Sequence, residues 1–139
     1  MKQQLFEFSV RTQGRGFHEI SDEVQGLISD AGISLGLATL HLQHTSASLL
    51  IQENADAEVR LDFERFFQRL VPDGDSLFHH TAEGADDMPA HVRTALTTVN
   101  LSIPIRTGRL CLGTWQGIYI WEHRKTPHTR QVIVHLLGE

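Results

Sequence analysis

From Val99 to the end of the chain, apolar residues fall on every second position: Val99, Leu101, Ile103 and Ile105, then Leu110 and Leu112, then Ile118 and Ile120, then Val132, Val134 and Leu136. Successive side chains of a strand point to opposite faces, so this period of two describes strands that each carry one apolar face. Thr107-Gly108 and the glycines at 113 and 117 punctuate them at intervals of about ten residues, which predicts four consecutive strands in an antiparallel meander. Pro104 has no N–H to give to a ladder and belongs at an edge or a strand end.

The first two thirds of the chain mix this period with a helical one. Phe6, Phe8 and Val10 alternate with Glu7 and Ser9, and Gly14-Arg15-Gly16 offers a turn before Phe17–Glu19, which reads as a hairpin. Ser21 is placed to cap a short helix carrying Val24, Leu27, Ile28 and Ala31, with Gly32 just past its end. Ile33–His44 and Ala47–Gln52 are strand-like. From Asn54, a good cap, Ala55, Val59, Phe63, Phe66, Phe67 and Leu70 recur at three- or four-residue spacing until Pro72-Asp73-Gly74, which predicts the main helix. A third helix is expected near Met88–Thr98, with Asp86 or Asp87 as cap, Pro89 in its first turn, and Val92, Leu96 and Val99 toward the core. No linker, repeat or low-complexity stretch divides the chain, so residues 1–139 read as one domain of layered α+β class.

Composition narrows the partners. A formal charge of −5 argues against nucleic acid, whose binding draws on phosphate neutralisation by Lys and Arg. No apolar run approaches the roughly 18 residues needed to span a bilayer, and the alternating N-terminus lacks the basic-then-apolar pattern of a signal peptide, so no membrane partner and a cytoplasmic location are expected. The single cysteine, Cys111, sits between two strand leucines and is expected to be a buried, inert thiol. Charge is uneven: residues 53–91 hold ten of the 17 acids, whereas residues 100–139 hold two acids against five Arg or Lys. Such complementary segments suit a site or a subunit contact.

Nine histidines supply metal ligands in abundance. In His41-Leu-Gln-His44-Thr45-Ser46, strand period puts the two imidazoles on opposite faces, so at most one serves a site; His44 is the better candidate, ending the strand at a polar turn ahead of Asn54 and Asp56 at a helix start. His79-His80-Thr-Ala-Glu83-Gly-Ala-Asp86-Asp87-Met-Pro-Ala-His91 gathers imidazoles and carboxylates as a divalent-metal site does, imidazole suiting zinc-like ions and carboxylate suiting magnesium. His44, His80 and His91 each lie at the end of a regular element, which predicts that they converge on one metal or anion site. In Gly113-Thr-Trp115-Gln116-Gly117, glycines flank an aromatic and an amide where backbone can approach a ligand, and Glu122 and Arg124 leave the following strand on one face. Ser46 or Ser48 with His44 and Asp56 makes no recognisable hydrolytic triad.

Taken together, His44-Thr-Ser-Ala-Ser with Asn54-Ala-Asp56, His80 through Glu83-Gly-Ala-Asp-Asp-Met-Pro-Ala-His91, and Gly108-x-Leu-x-Leu-Gly-Thr-Trp-Gln-Gly-Ile-Tyr resemble the YjbQ family, UPF0047, over essentially the whole chain. The resemblance implies an α+β fold with a β-sandwich-like antiparallel core and a homotrimer. It also implies a secondary thiamine-phosphate synthase activity, which joins hydroxymethylpyrimidine pyrophosphate to thiazole phosphate with magnesium assisting. On that footing His91, Glu122, Gln116 and Asp86 are the expected catalytic residues. Thr45, Ser46, Asn54, Asp56, Trp115 and Arg124 are expected at a phosphorylated small-molecule substrate, and His44, His80 and His91 at a divalent magnesium or zinc ion. The residue types suit equally a metal-dependent hydrolase of a phosphate ester or amide, or a non-catalytic metal- or metabolite-binding module.

Overall fold

Strands with one apolar face need a second apolar surface to close on, and this chain makes it from a second sheet. The computed structural model describes residues 1–139. Its larger sheet has five strands in the order β1 (Lys2–Arg11), β8 (Thr129–Gly138), β3 (Leu35–Leu42), β5 (Asn100–Arg106) and β6 (Arg109–Leu110). The smaller has three, β2 (Gly16–Glu19), β7 (Gln116–Glu122) and β4 (Ala47–Glu53), and every pairing is antiparallel. Three helices complete the α+β fold: α1 (Ser21–Ala31), α2 (Ala57–Leu70) and α3 (Asp87–Leu96).

The alternation read from the sequence sets the core. Ala38, Leu40, Leu42, Ile103, Ile105, Val132, Val134 and Leu136 from the larger sheet meet Ala47, Leu49, Ile118 and Ile120 from the smaller, with Val24, Ile28 and Ala31 of α1 against them. Each fully buried Ile, Leu or Val contributes about 1.5–3 kcal/mol, so this layer is the main source of stability.

Strand partnership departs from the sequence expectation. The N-terminal hairpin does not form: β1 pairs with β8 and β2 with β7, so the chain crosses between sheets at Gly14, whose φ of 111° and 2.5 Å approach of a would-be Cβ to the Lys125 carbonyl oxygen leave room only for glycine. Nor is the C-terminal third a meander. β5 and β6 form a hairpin in one sheet, β7 belongs to the other, and β8 returns to the first between β1 and β3. The last step brings two backbones unusually close: a Cβ on Gly36 or on Gly138 would lie 2.2 Å from a carbonyl oxygen of the opposite strand.

The smaller sheet is covered on both faces, which period two alone does not reveal. Tyr119 and Trp121 point away from the inter-sheet core and are buried beneath α2, where Trp121 stacks on Phe17 with centroids 4.6 Å apart and meets Phe63 and Phe67 edge-on. In α3 the inward face is Asp87, Pro89, Ala90 and Arg93, while Leu96 is exposed, contrary to the expected Val92–Leu96 face. Three caps also differ. Asp56, not Asn54, caps α2, accepting from the Glu58 N–H; the Ser21 hydroxyl donates to Glu19 and accepts from the Ile118 N–H; and Asp86 stands at the start of α3 without capping it. Cys111 lies beyond the end of β6 and is exposed, so the expectation of a buried thiol fails where the strand stops.

Candidate metal centre

Asp87 and His91 are four residues apart at the start of α3 and therefore share one helix face. The segment between α2 and α3 folds back over that face through bonds from the Gly84 N–H to the Thr81 carbonyl and from the Asp87 N–H to the Gly84 carbonyl, which delivers His80 to the same point. His80 Nε2 lies 2.8 Å and His91 Nε2 3.3 Å from the same Asp87 oxygen, Oδ2. Ligand atoms of all three residues lie within 4.8 Å of one another. Two imidazoles and one carboxylate leave coordination positions open, the composition of a catalytic rather than a closed structural metal site.

Neighbours orient these groups. His91 Nδ1 is 2.9 Å from the Thr45 carbonyl oxygen. A carbonyl only accepts, so Nδ1 carries a proton, and in the neutral ring this leaves the lone pair on Nε2, the nitrogen that faces Asp87, as a ligating histidine needs. Asp87 is buried, and its other oxygen accepts from Arg124 Nη1 at 2.9 Å. The same guanidinium donates to Asp86 Oδ2 at 3.0 Å and to the Glu83 carbonyl at 2.9 Å, fastening the whole segment. Burial raises the Asp86 carboxyl, but bonds from the Lys125 N–H and Arg124 outweigh it and hold it below the usual carboxylate range.

The sequence-predicted residues thus divide. His80 and His91 come together; His44 does not join their ligand atoms, because its Nε2 is taken by the Gln131 N–H at 2.8 Å. Asp87 stands where the sequence left Asp86 and Asp87 undecided, and its Asp-x-x-x-His spacing across a helix start was the available signal. Arg124 and Asp86, expected at substrate and in catalysis, are occupied with each other and with the loop. Thr45 serves through its backbone, and the Ser46 hydroxyl accepts from Arg130. Asn54, Asp56, Trp115 and Gln116 lie elsewhere in the chain's fold. Ala47 pairs with Glu122 and Glu53 with Gln116, so six strand steps, roughly 20 Å, separate the two ends. There the Gln116 side chain accepts from the Gly113 N–H, Asn54 donates its N–H to the Trp115 carbonyl, and Trp115 is exposed.

Glu122, expected to be catalytic, is fully buried between the sheets with both oxygens occupied. Oε1 accepts from Thr12 at 2.7 Å and Arg130 Nε at 2.8 Å; Oε2 accepts from Arg130 Nη2 and the Arg124 N–H. Burial pushes its carboxyl up, but the bonds from Arg130, Thr12 and Arg124 outweigh that and hold it below the ordinary range. It is a structural ion pair with no oxygen left for a substrate.

Sequence reasoning assigned no role to His123. Its Nε2 lies 2.9 Å from Ser48 Oγ, both residues are fully buried, and no carboxylate reaches Nδ1, so the pair is not a hydrolytic triad. Burial first, then the Arg93, Arg15 and Arg130 charges, lower its pKa to about 2. A histidine held neutral while its unfolded counterpart titrates near 6.5 gives stability that is complete above that pH and is lost as pH falls below it. Urea unfolding with chelator present is expected to show stability falling by about 1 kcal/mol per pH unit between roughly pH 6 and 5. His44, also lowered by burial and Arg130, contributes in the same direction. The slope should flatten in His123→Gln; an unchanged slope in that variant would rule His123 out as its source.

Comparison with known proteins agrees with this architecture. The family model described as UPF0047 protein YjbQ-like matches residues 6–139. A UPF0047 protein of Synechocystis sp. is 51% identical over 130 residues, covering 94% of this chain and 88% of that protein. The UPF0047 protein YjbQ of Escherichia coli O157:H7 is 45% identical over 132 residues, covering 94% and 95%. Among solved structures, a conserved hypothetical protein from Thermus thermophilus superposes with a TM-score of 0.86 at 33% identity, covering 95% of this chain and 99% of that one. With the same two-sheet fold and a match along nearly its whole length, the chain belongs to the YjbQ-like UPF0047 family.

Proposed function

We propose that His80, Asp87 and His91 hold a divalent cation and that the protein uses it in hydrolysis of a phosphorylated small molecule. The observation that carries this reading is the convergence of the three ligand atoms, with the His91 tautomer set by the Thr45 carbonyl. Two nitrogens and one oxygen suit a zinc-like ion better than magnesium, which prefers an all-oxygen shell. Such an ion supplies Lewis acidity toward a phosphoryl oxygen and toward water. Within the chain, Arg124 holds Asp87 in place through a bond to its Oδ1, and the Thr45 carbonyl fixes the orientation of the His91 ring. An open groove of about 450 Å³, lined by His44, Thr45, His91 and Thr98, gives a small substrate access to the His91 side.

Synthesis of thiamine phosphate, which the family resemblance implies, is the second reading. Glu83, exposed beside the Arg124 clamp, is an oxygen donor of the kind magnesium takes. Pyrophosphate departure, however, is best served by free cationic donors, and the nearby guanidiniums are already engaged, Arg124 by Glu83, Asp86 and Asp87 and Arg130 by Glu122 and Ser46. That is why hydrolysis stands first. The deciding experiment begins with metal analysis, where one zinc per chain is expected. The zinc-loaded protein is then given a phosphate monoester, and separately both phosphorylated thiamine halves with magnesium. Thiamine phosphate without ester hydrolysis would reverse the order, retained metal with neither reaction would leave a binding module, and no retained metal would overturn the reading.

We also propose a cytoplasmic homotrimer. The outer face of the larger sheet exposes Leu5, Leu35, Leu37 and Leu137, apolar surface of the sort subunits cover. Sedimentation should give three chains per particle, and a stable monomer at micromolar concentration would remove the assignment.

A further inference from the structure

His44 has a task in this groove that its exclusion from the ligand group defines. Its Nε2 accepts from the Gln131 backbone N–H at 2.8 Å. A backbone amide keeps its proton, so Nε2 is the lone-pair nitrogen and, in the neutral ring, the proton sits on Nδ1. Neither nitrogen is then available to a cation: one is occupied and the other protonated. Nδ1 has no protein partner, and the half-buried ring lines two hollows that meet at His44 and Thr45, one shared with His91 and the other with Arg130. The ring therefore presents a single N–H in a hollow that it shares with His91, one of the three candidate metal ligands.

We propose that His44 is a substrate-orienting residue whose Nδ1–H donates a hydrogen bond to a phosphoryl oxygen of a ligand held at the neighbouring His80–Asp87–His91 centre. The assignment rests on the metal reading above and adds to it the group that recognises the oxyanion. One uncharged donor matches one phosphoryl group, so the substrate class is a phosphate monoester rather than a diphosphate, whose second phosphoryl group would meet no free cation here.

Two measurements test this. Long-range ¹H–¹⁵N correlation of the metal-free protein should show His44 protonated at Nδ1 and unprotonated at Nε2, the signal being assigned by its disappearance in His44→Phe. Inorganic phosphate is then titrated into zinc-loaded protein. His44→Phe should weaken phosphate binding by roughly tenfold or more while leaving zinc affinity within a few-fold of wild type, and His44→Asn, whose amide nitrogen replaces Nδ1–H, should regain most of the loss. Protonation at Nε2, or phosphate binding as tight in His44→Phe as in wild type, overturns the proposal alone. A loss of zinc in His44→Phe as large as that in His80→Ala makes His44 a ligand and also overturns it. A wild type that takes up no zinc overturns the metal reading and this assignment with it.

Discussion

Zinc affinity is expected to fall by roughly 100-fold or more in both His80→Ala and Asp87→Asn, because one deletes and the other neutralises one of the three candidate ligands. The two variants separate binding from folding. His80 has a side chain about half exposed, at 49%, and its removal leaves the Asp87–Arg124 bond intact, so stability to urea should change by no more than about 1 kcal/mol. Asp87 is buried, and losing its charge weakens one of the three anchors that Arg124 makes to the loop, at a cost of about 1–3 kcal/mol. The proposed metal-dependent turnover should drop to background in both. Competition titration against a chelator of known affinity checks the first number, and wild-type affinity in both variants would show that these three residues hold no ion.

Removing the buried charge between the sheets should have the largest effect on stability. Glu122→Gln leaves Arg130, itself almost fully buried, without its anionic partner, and breaking such a pair from one side costs about 3–5 kcal/mol. For a domain of this size the melting temperature should fall by on the order of 10 °C. Replacing both partners with Met should recover much of the loss, since no charge is then left without a partner. The pH dependence gives a second check. The folded Glu122 carboxyl lies below its ordinary range, so its contribution is complete above the unfolded value, near 4.5, and disappears as pH falls through the folded one. The gap between wild type and Glu122→Gln should therefore be widest near neutrality and close in acid. At a temperature where the variant is folded it should keep the metal-dependent activity proposed above; a folded Glu122→Gln that lacks the wild type's activity would restore Glu122 to the chemistry.

What local pattern dictates was legible, and what distant segments contribute was not. The alternation of Phe6, Phe8 and Val10 and of Val132, Val134 and Leu136 sets which faces turn inward, because side-chain direction in a strand depends on the residue's own backbone. Glu122 falls in phase with Ile118 and Ile120, and Arg130 in phase with Val132 and Val134, so a charge pair inside the sandwich was written in the two strands; that they meet depends on β7 and β8 lying in different, facing sheets. Choice of partner is a property of the whole chain. A backbone ladder accepts any sequence of suitable phase, which is why β1 and β2 read as a hairpin yet pair with β8 and β7. The candidate centre divides the same way. Asp87 and His91 share a face by helical geometry alone, whereas His80 reaches them through the Thr81–Gly84–Asp87 turns of a loop that Arg124, 37 residues beyond Asp87, fastens down. His44 lost its place among the ligands to one backbone N–H at Gln131, 87 residues away, a contact that strand order brings about and that no local spacing encodes.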